Sequence, residues 1–152
     1  MIRLRPAEKA DLTSLYELDQ ICFPAGIAYS LSDFRALLRS SRVLTIIAEQ
    51  DSILAGFAMA QMATLGDILV GLIVTIDVAP LFRRRGVGAS LMQAIETGVQ
   101  AVGAEVVRLE VAVDNQMALS FYEKLGFIAV GELPGYYPTG TDAIVMQKPL
   151  NL

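Results

Sequence analysis

The chain has 152 residues, 54% of them hydrophobic, a formal net charge of −4, no histidine and one cysteine, Cys22. That length and apolar content suffice for the core of one domain over residues 1–152 and exclude a disordered or fibrous chain. The acidic balance argues against a nucleic-acid binder, while a lone thiol without histidine excludes an intramolecular disulfide, leaves little for a zinc site and removes any histidine-based triad.

In chain order, Ile2-Arg3-Leu4-Arg5 alternates and stops at Pro6, as a short strand before a turn does. The start lacks a basic-then-apolar leader, so a cytoplasmic protein is expected. Leu12, Leu15, Tyr16, Leu18 and Asp19 fall at helical spacing from a polar start near Asp11, and Pro24 and Gly26 end that helix. Ser30 or Ser32 is placed to cap a second helix through Phe34, Leu37 and Leu38. Val43 to Glu49 and Ile53 to Met62 read as strands joined at Gln50-Asp51-Ser52 in a hairpin. Gly66 to Val78 is a third strand, and its apolar run Ile68 to Val78 is too short to span a bilayer and carries Asp77.

From Gly88 to Val102 the residues Leu91, Met92, Ile95, Val99 and Val102 give one apolar face of a helix that Gly103 ends. Val106 to Val113 reads as a strand, Gln116 to Lys124 as a helix closed by Gly126, and Phe127 to Gly131 and Ala143 to Lys148 as strands. Hairpins early and a strand-helix-strand unit late predict an α/β chain with a mixed sheet and helices on both faces.

One segment carries a chemical signal. Arg83-Arg84-Arg85-Gly86-Val87-Gly88 joins a strand to a helix start, where free amides and the helix dipole favour an anion. No Asp or Glu occurs from Pro80 to Ile95, although acids are the usual choice for a first helical turn. A diphosphate would supply the missing charge, and arginine suits it. A dinucleotide fingerprint would need a third glycine where Leu91 stands, and a Walker loop would need Gly-Lys-Ser/Thr. Elsewhere, Glu110 lies in Val106 to Val113 on the strand face shared with Arg108 and Ala112, either in solvent beside Arg108 or turned toward a cleft. Tyr122 shares a helical apolar stripe with Ala118 and Leu125, as an ordinary core tyrosine would. Asn115 is placed to cap that helix.

Val78-Ala79-Pro80 followed by Arg83 to Gly88 resembles the coenzyme-A signature of the GNAT superfamily of N-acetyltransferases, Gln/Arg-x-x-Gly-x-Gly/Ala. Leu109-Glu110-Val111, Asp114-Asn115 and Ala118 through Phe121-Tyr122-Glu123-Lys124-Leu125-Gly126-Phe127 extend the resemblance over about half the chain. It implies a mostly antiparallel sheet splayed open around acetyl-CoA as cosubstrate, with no metal. Ile76, Asp77 and Val78 would then meet the pantetheine arm and thioester. Arg83 and the amides of Arg84, Arg85, Gly86, Val87, Gly88 and Ala89 would meet the pyrophosphate, and Asn115 and Tyr122 would border the coenzyme.

The motifs are most similar to RimI-type protein N-terminal acetyltransferases. That resemblance implies Glu110 as general base, directly or through a water, and Tyr122 as the general acid that protonates the leaving thiolate. Gly135-Tyr136-Tyr137-Pro138 resembles the group's Asn-Tyr-Tyr-Pro segment, so Tyr136 and Tyr137 would border the acceptor, unless the loop only packs on itself. Cys22-Phe23-Pro24 is similar to the group's Phe-Pro-Trp region, without its tryptophan. The expected function is transfer of acetyl to a primary amine, such as a protein N-terminus. A small-molecule amine acetyltransferase and a coenzyme-A-binding sensor without turnover are the alternatives, and monomer or homodimer stays open.

Overall fold

The structure, a computed structural model, describes residues 1–150. Its strands are β1 (Arg3–Pro6), β2 (Val43–Gln50), β3 (Ile53–Leu65), β4 (Ile68–Val78), β5 (Ala104–Ala112), β6 (Ile128–Leu133) and β7 (Ala143–Pro149). Its α-helices are α1 (Leu12–Cys22), α2 (Leu31–Arg39), α3 (Val87–Ala101) and α4 (Gln116–Lys124). The element order is the expected one, and the bounds differ where context outweighs local pattern. Pro6 lies inside β1 because β1 is the first strand of the sheet, where an absent N–H on the outer side breaks no ladder. β5 starts before Val106, and β6 begins after Phe127 and continues past Gly131.

The helix starts follow from local hydrogen bonding. Of the two candidate serines, Ser30 caps α2, accepting from Asp33 N–H at 3.0 Å while the Asp33 carboxylate accepts from Ser30 N–H at 3.1 Å. Asn115 caps α4 by accepting from Ala118 N–H at 3.1 Å. Asp11 does not cap α1 with its side chain. Its carboxylate accepts from Glu8 N–H at 2.7 Å and from the Arg5 guanidinium at 2.8 and 2.9 Å, tying β1 to the turn before α1. The β2–β3 turn is Asp51-Ser52, both left-handed with φ of 52° and 65°, which suits a two-residue hairpin without glycine.

The seven strands form one sheet in the order β1-β2-β3-β4-β5-β7-β6, antiparallel everywhere except between β4 and β5. Helices cover both faces. On one, α3 buries Leu91, Met92, Ile95 and Val99 against Ala55, Ala58 and Ala60 of β3, each large side chain contributing about 1.5–3 kcal/mol relative to exposure. On the other, Leu15 and Leu18 of α1 and Phe34 of α2 pack on Phe57 and Met59. From Gly56 to Ala60 strand alternation gives β3 a small-residue face toward α3 and a large-residue face toward α1 and α2, and the bulge opposite Ala48 and Glu49 takes Ala55 out of that alternation and onto the α3 side. Among the described residues, no helix is long and apolar enough to cross a membrane.

β4 and β5 share pairing only from Leu69↔Ala104 to Leu72↔Arg108. Beyond that point β4 continues to Val78 along β3, while β5 continues to Ala112 along β7. The sheet therefore splays between residues 73–78 and 109–112, as the family resemblance implies.

Candidate active site

The splay exposes main-chain groups on its β4 wall. Ala79 N–H donates to Ala55 O at 2.8 Å, so Ala79 faces β3, and by strand alternation the N–H and C=O of Val78 and Ile76 face the opening. Val78 O is already engaged, accepting from Arg83 Nε at 3.1 Å and from the Cys22 thiol at 3.6 Å. The remaining groups of that edge have no strand beside them.

At one end of the gap, residues 83–86 turn into α3. Arg84 has φ 63° and Gly86, at the helix N-cap, φ 80°, a left-handed pair that folds the chain tightly before the helix. Ser90 N–H, donating to Gly86 O at 3.0 Å, begins the helix's own ladder, which leaves the amides of Val87, Gly88 and Ala89 to an outside acceptor. A Cβ on Gly88 would sit 3.0 Å from Phe121 Cζ, so glycine there lets α4 approach the helix start. With no acidic residue from Pro80 to Ile95, the positive end of α3 stands uncompensated by side chains. The three arginines divide. Arg83 turns back onto Val78 O and reaches Cys22 Sγ at 3.7 Å, Arg85 lies 5.5 Å over the Phe82 ring, and Arg84 is exposed.

At the other end, Glu110 is half-buried and its Oε1 accepts from the Tyr136 hydroxyl at 2.9 Å. Arg108 is not its partner: that guanidinium donates twice to Gln147 Oε1, at 3.1 and 3.3 Å. The 134–142 loop is held over β5 by Gly135 N–H on Asp142 Oδ1 (2.8 Å) and Val113 N–H on Asp142 O (3.0 Å). It stacks Tyr136 edge-on against Tyr137 with centroids 5.0 Å apart. Burial first, then the hydrogen bond to Glu110, pushes the Tyr136 phenol up to about 12. Burial, then the charge of Glu110, does the same for Tyr137, also to about 12. Both phenols are therefore donors at neutral pH.

Tyr122 is 8% exposed, edge-on to Phe121 and Phe127, and burial, then the charges of Asp77 and Tyr137, hold its proton well above the usual phenol range. Among the described residues its hydroxyl has no hydrogen-bond partner, yet it is not sealed from solvent as the unpartnered Asp19 Oδ1 and Asp77 Oδ2 are. It is both a core ring and an available donor, so the two readings of this residue are compatible.

Two side chains near the site escaped the sequence reading. Tyr29, on the connection between α1 and α2, donates from its hydroxyl to Val74 O at 3.4 Å and feels the charges of Asp19 and Glu110. Asp19, from the apolar stripe of α1, is fully buried against Asp77. Burial, then Asp19, pushes the Asp77 carboxyl up to about 9. The signal for this pair was present as a carboxylate in each of two apolar runs. Tyr29 sits in no pattern that would have marked it.

The family model "Acetyltransferase (GNAT) family" matches residues 12–127. The chain is 33% identical to an N-alpha-acetyltransferase of Sulfurisphaera tokodaii, over 97% of this chain and 93% of that one. The crystal structure of the ribosomal-protein-S18-alanine N-acetyltransferase from Escherichia coli superposes with a TM-score of 0.87 at 28% identity, covering 100% of this chain and 96% of that one. Arabidopsis thaliana NAA60 in complex with acetyl-CoA shares the fold, with a TM-score of 0.87 at 20% identity over 100% of both chains. With a splayed sheet, a bare helix start at one end of the gap and this extent of sequence similarity, the chain belongs to the GNAT family of acetyltransferases.

Proposed function

We propose that this enzyme transfers the acetyl group of acetyl-CoA to the α-amino group of a protein N-terminus. The observation that carries the reading is the gap itself, which has anion-seeking amides at one end and, at the other, a carboxylate hydrogen-bonded to the Tyr136 phenol. Acetyl-CoA supplies an activated thioester carbonyl. The amides of Val87, Gly88 and Ala89, with the turn at Arg84 and Arg85, hold its pyrophosphate. Arg83 serves the site differently, by fixing Val78 O and so the edge of β4. The free main-chain groups of Ile76 and Val78 align the pantetheine arm along that edge.

Glu110 takes a proton from the incoming amine as the C–N bond forms, and Tyr122 gives one to the thiolate as the C–S bond breaks. No covalent intermediate on the protein is needed. Tyr29, Tyr136 and Tyr137 wall the acceptor entrance. An α-amino group has a pKa of about 8, against about 10.4 for lysine, so one carboxylate base has far less deprotonation to accomplish at neutral pH. The Sulfurisphaera and E. coli relatives, named for N-alpha and ribosomal-protein alanine acetylation, support the same acceptor class.

The test is acetyl-CoA consumption against peptides with free N-termini, the same peptides blocked at the N-terminus but carrying lysine, and small amines. Turnover confined to free N-termini is the expected result. Turnover confined to small amines, or saturable coenzyme binding without turnover on any acceptor, would overturn it.

A further inference from the structure

Asp19 and Asp77 are exposed by 0% and 1%, and their carboxyl groups meet between α1 and β4. Each commits one oxygen in an ordinary way. Asp19 Oδ2 accepts from Tyr29 N–H at 2.8 Å, and Asp77 Oδ1 accepts from the Thr75 hydroxyl at 2.5 Å. The other oxygens, Asp19 Oδ1 and Asp77 Oδ2, are sealed and without a partner so long as both groups are read as anions. Two buried carboxylates in contact cannot both stay ionised. A single proton removes both difficulties, because Asp77 Oδ2–H donating to Asp19 Oδ1 satisfies the two orphan oxygens and leaves one charge.

The pair sits where the site needs stiffness. Asp77 lies between Ile76 and Val78, the residues whose main chain faces the gap. Asp19 lies in the last turn of α1, one turn before Cys22, whose thiol donates to Val78 O. Through Tyr29 N–H, Asp19 also fixes the residue whose hydroxyl reaches Val74 O. We propose that the shared proton makes Asp77 a positioning residue for acetyl transfer, clamping the open edge of β4 to the α1–α2 connection that carries Tyr29. The inference rests on the reading of the gap as the transfer site. Loss of the proton sets two carboxylates against each other and parts the thioester wall from the acceptor wall. The titratable groups around Asp77 are Asp19 and Cys22 from α1, Tyr29 from the connection, Arg83 from the turn before α3, and Tyr122 from α4. Of these five only Arg83 is cationic, and it is also bonded to Val78 O, so it opposes the proton without replacing it.

Asp77→Asn keeps an oxygen for Thr75 and turns an NH2 toward Asp19 Oδ1, copying the protonated acid with a group that does not titrate. Asp19→Asn is the second variant, pairing an amide with a carboxylate and again leaving no proton to lose. The ligand-free wild type should show the infrared band of a protonated carboxyl at pH 7, and both variants should lack it. Asp77 is raised to about 9 in the folded protein and released near about 4 when unfolded, so stability is fully present below the lower value and is lost as pH rises toward the upper one. The Tm of Asp77→Asn should therefore exceed that of wild type at pH 8, with the gap closing toward pH 4. In turnover, wild-type kcat should fall about tenfold per pH unit once alkaline pH removes the shared proton, with little change in KM for acetyl-CoA, and both variants should lose that alkaline limb. Absence of the infrared band in wild type, or an alkaline limb unchanged in both variants, would overturn the proposal. Absence of turnover by wild type on every acceptor would instead refute the proposed function, and the infrared and Tm measurements would still decide the pair.

Discussion

Replacing Tyr122 by phenylalanine removes one oxygen atom and nothing else from the core. The ring keeps its edge contacts, 5.2 Å to Phe121 and 5.7 Å to Phe127 between centroids. The lost hydroxyl has no hydrogen-bond partner among the described residues, so its removal orphans no buried group. Unfolding free energy should accordingly change by less than about 0.5 kcal/mol. Under the proposed function, catalysis depends on that atom far more strongly than folding does. Loss of a positioned general acid lowers the rate by about 10²-fold or more, which is at least about 2.7 kcal/mol of barrier. The assay is steady-state kinetics with acetyl-CoA and an N-terminal peptide, alongside thermal melts and calorimetric titration of the coenzyme. The expected pattern is an unchanged Tm, an unchanged coenzyme Kd and a collapsed kcat. A kcat within about twofold of wild type, in a protein that melts normally, would remove Tyr122 as the acid.

Glu110→Gln retains an acceptor for Tyr136 but removes the proposed base, so kcat/KM at pH 7 should drop by about 10²-fold in steady-state assays with an N-terminal peptide. Arg84→Ala with Arg85→Ala should weaken coenzyme binding about tenfold by titration while leaving the fold intact, since both side chains are exposed and neither forms an ion pair among the described residues. Asp11→Asn should cost about 1 kcal/mol at pH 7 in chemical denaturation, because it strips the guanidinium contact that links β1 to the turn before α1. The Arg5 contact lowers the Asp11 carboxyl below its ordinary value, so the contribution is present above that value and lost as pH falls through the lowered one. The variant and wild type should therefore converge in strong acid.

The order of strands and helices was legible because apolar spacing of two or of three and four residues survives into the fold, and because Gly103 and Gly126 stand where helices stop. The opening of the sheet was legible only through family resemblance, since no local pattern says that β4 and β5 stop pairing at Leu72↔Arg108. Side-chain partners across the chain were the hardest to read. Arg108 stood beside Glu110 in sequence, yet antiparallel register sets it opposite Gln147, and the carboxylate meets Tyr136 instead. Arg83 looked equivalent to its two neighbours until the turn at Arg84 aimed it back at Val78. Asp19 and Asp77 were each readable as an acid in an apolar run, but only the packing of α1 on β4 makes them one unit.

Withholding a strand partner from the facing edges of β4 and β5 beyond Leu72 and Arg108 leaves a docking surface made of peptide groups. Every residue type except proline presents the same N–H and C=O, so a ligand held there is indifferent to most substitutions along the walls. Under the proposed function, recognition of the acceptor falls instead to tyrosine rings carried by loops, where a single exchange changes shape and polarity at once. The architecture thus separates a mutation-tolerant handle for a shared donor from a readily altered entrance for the variable partner. One scaffold of this kind can acquire new acceptors without giving up its acyl carrier.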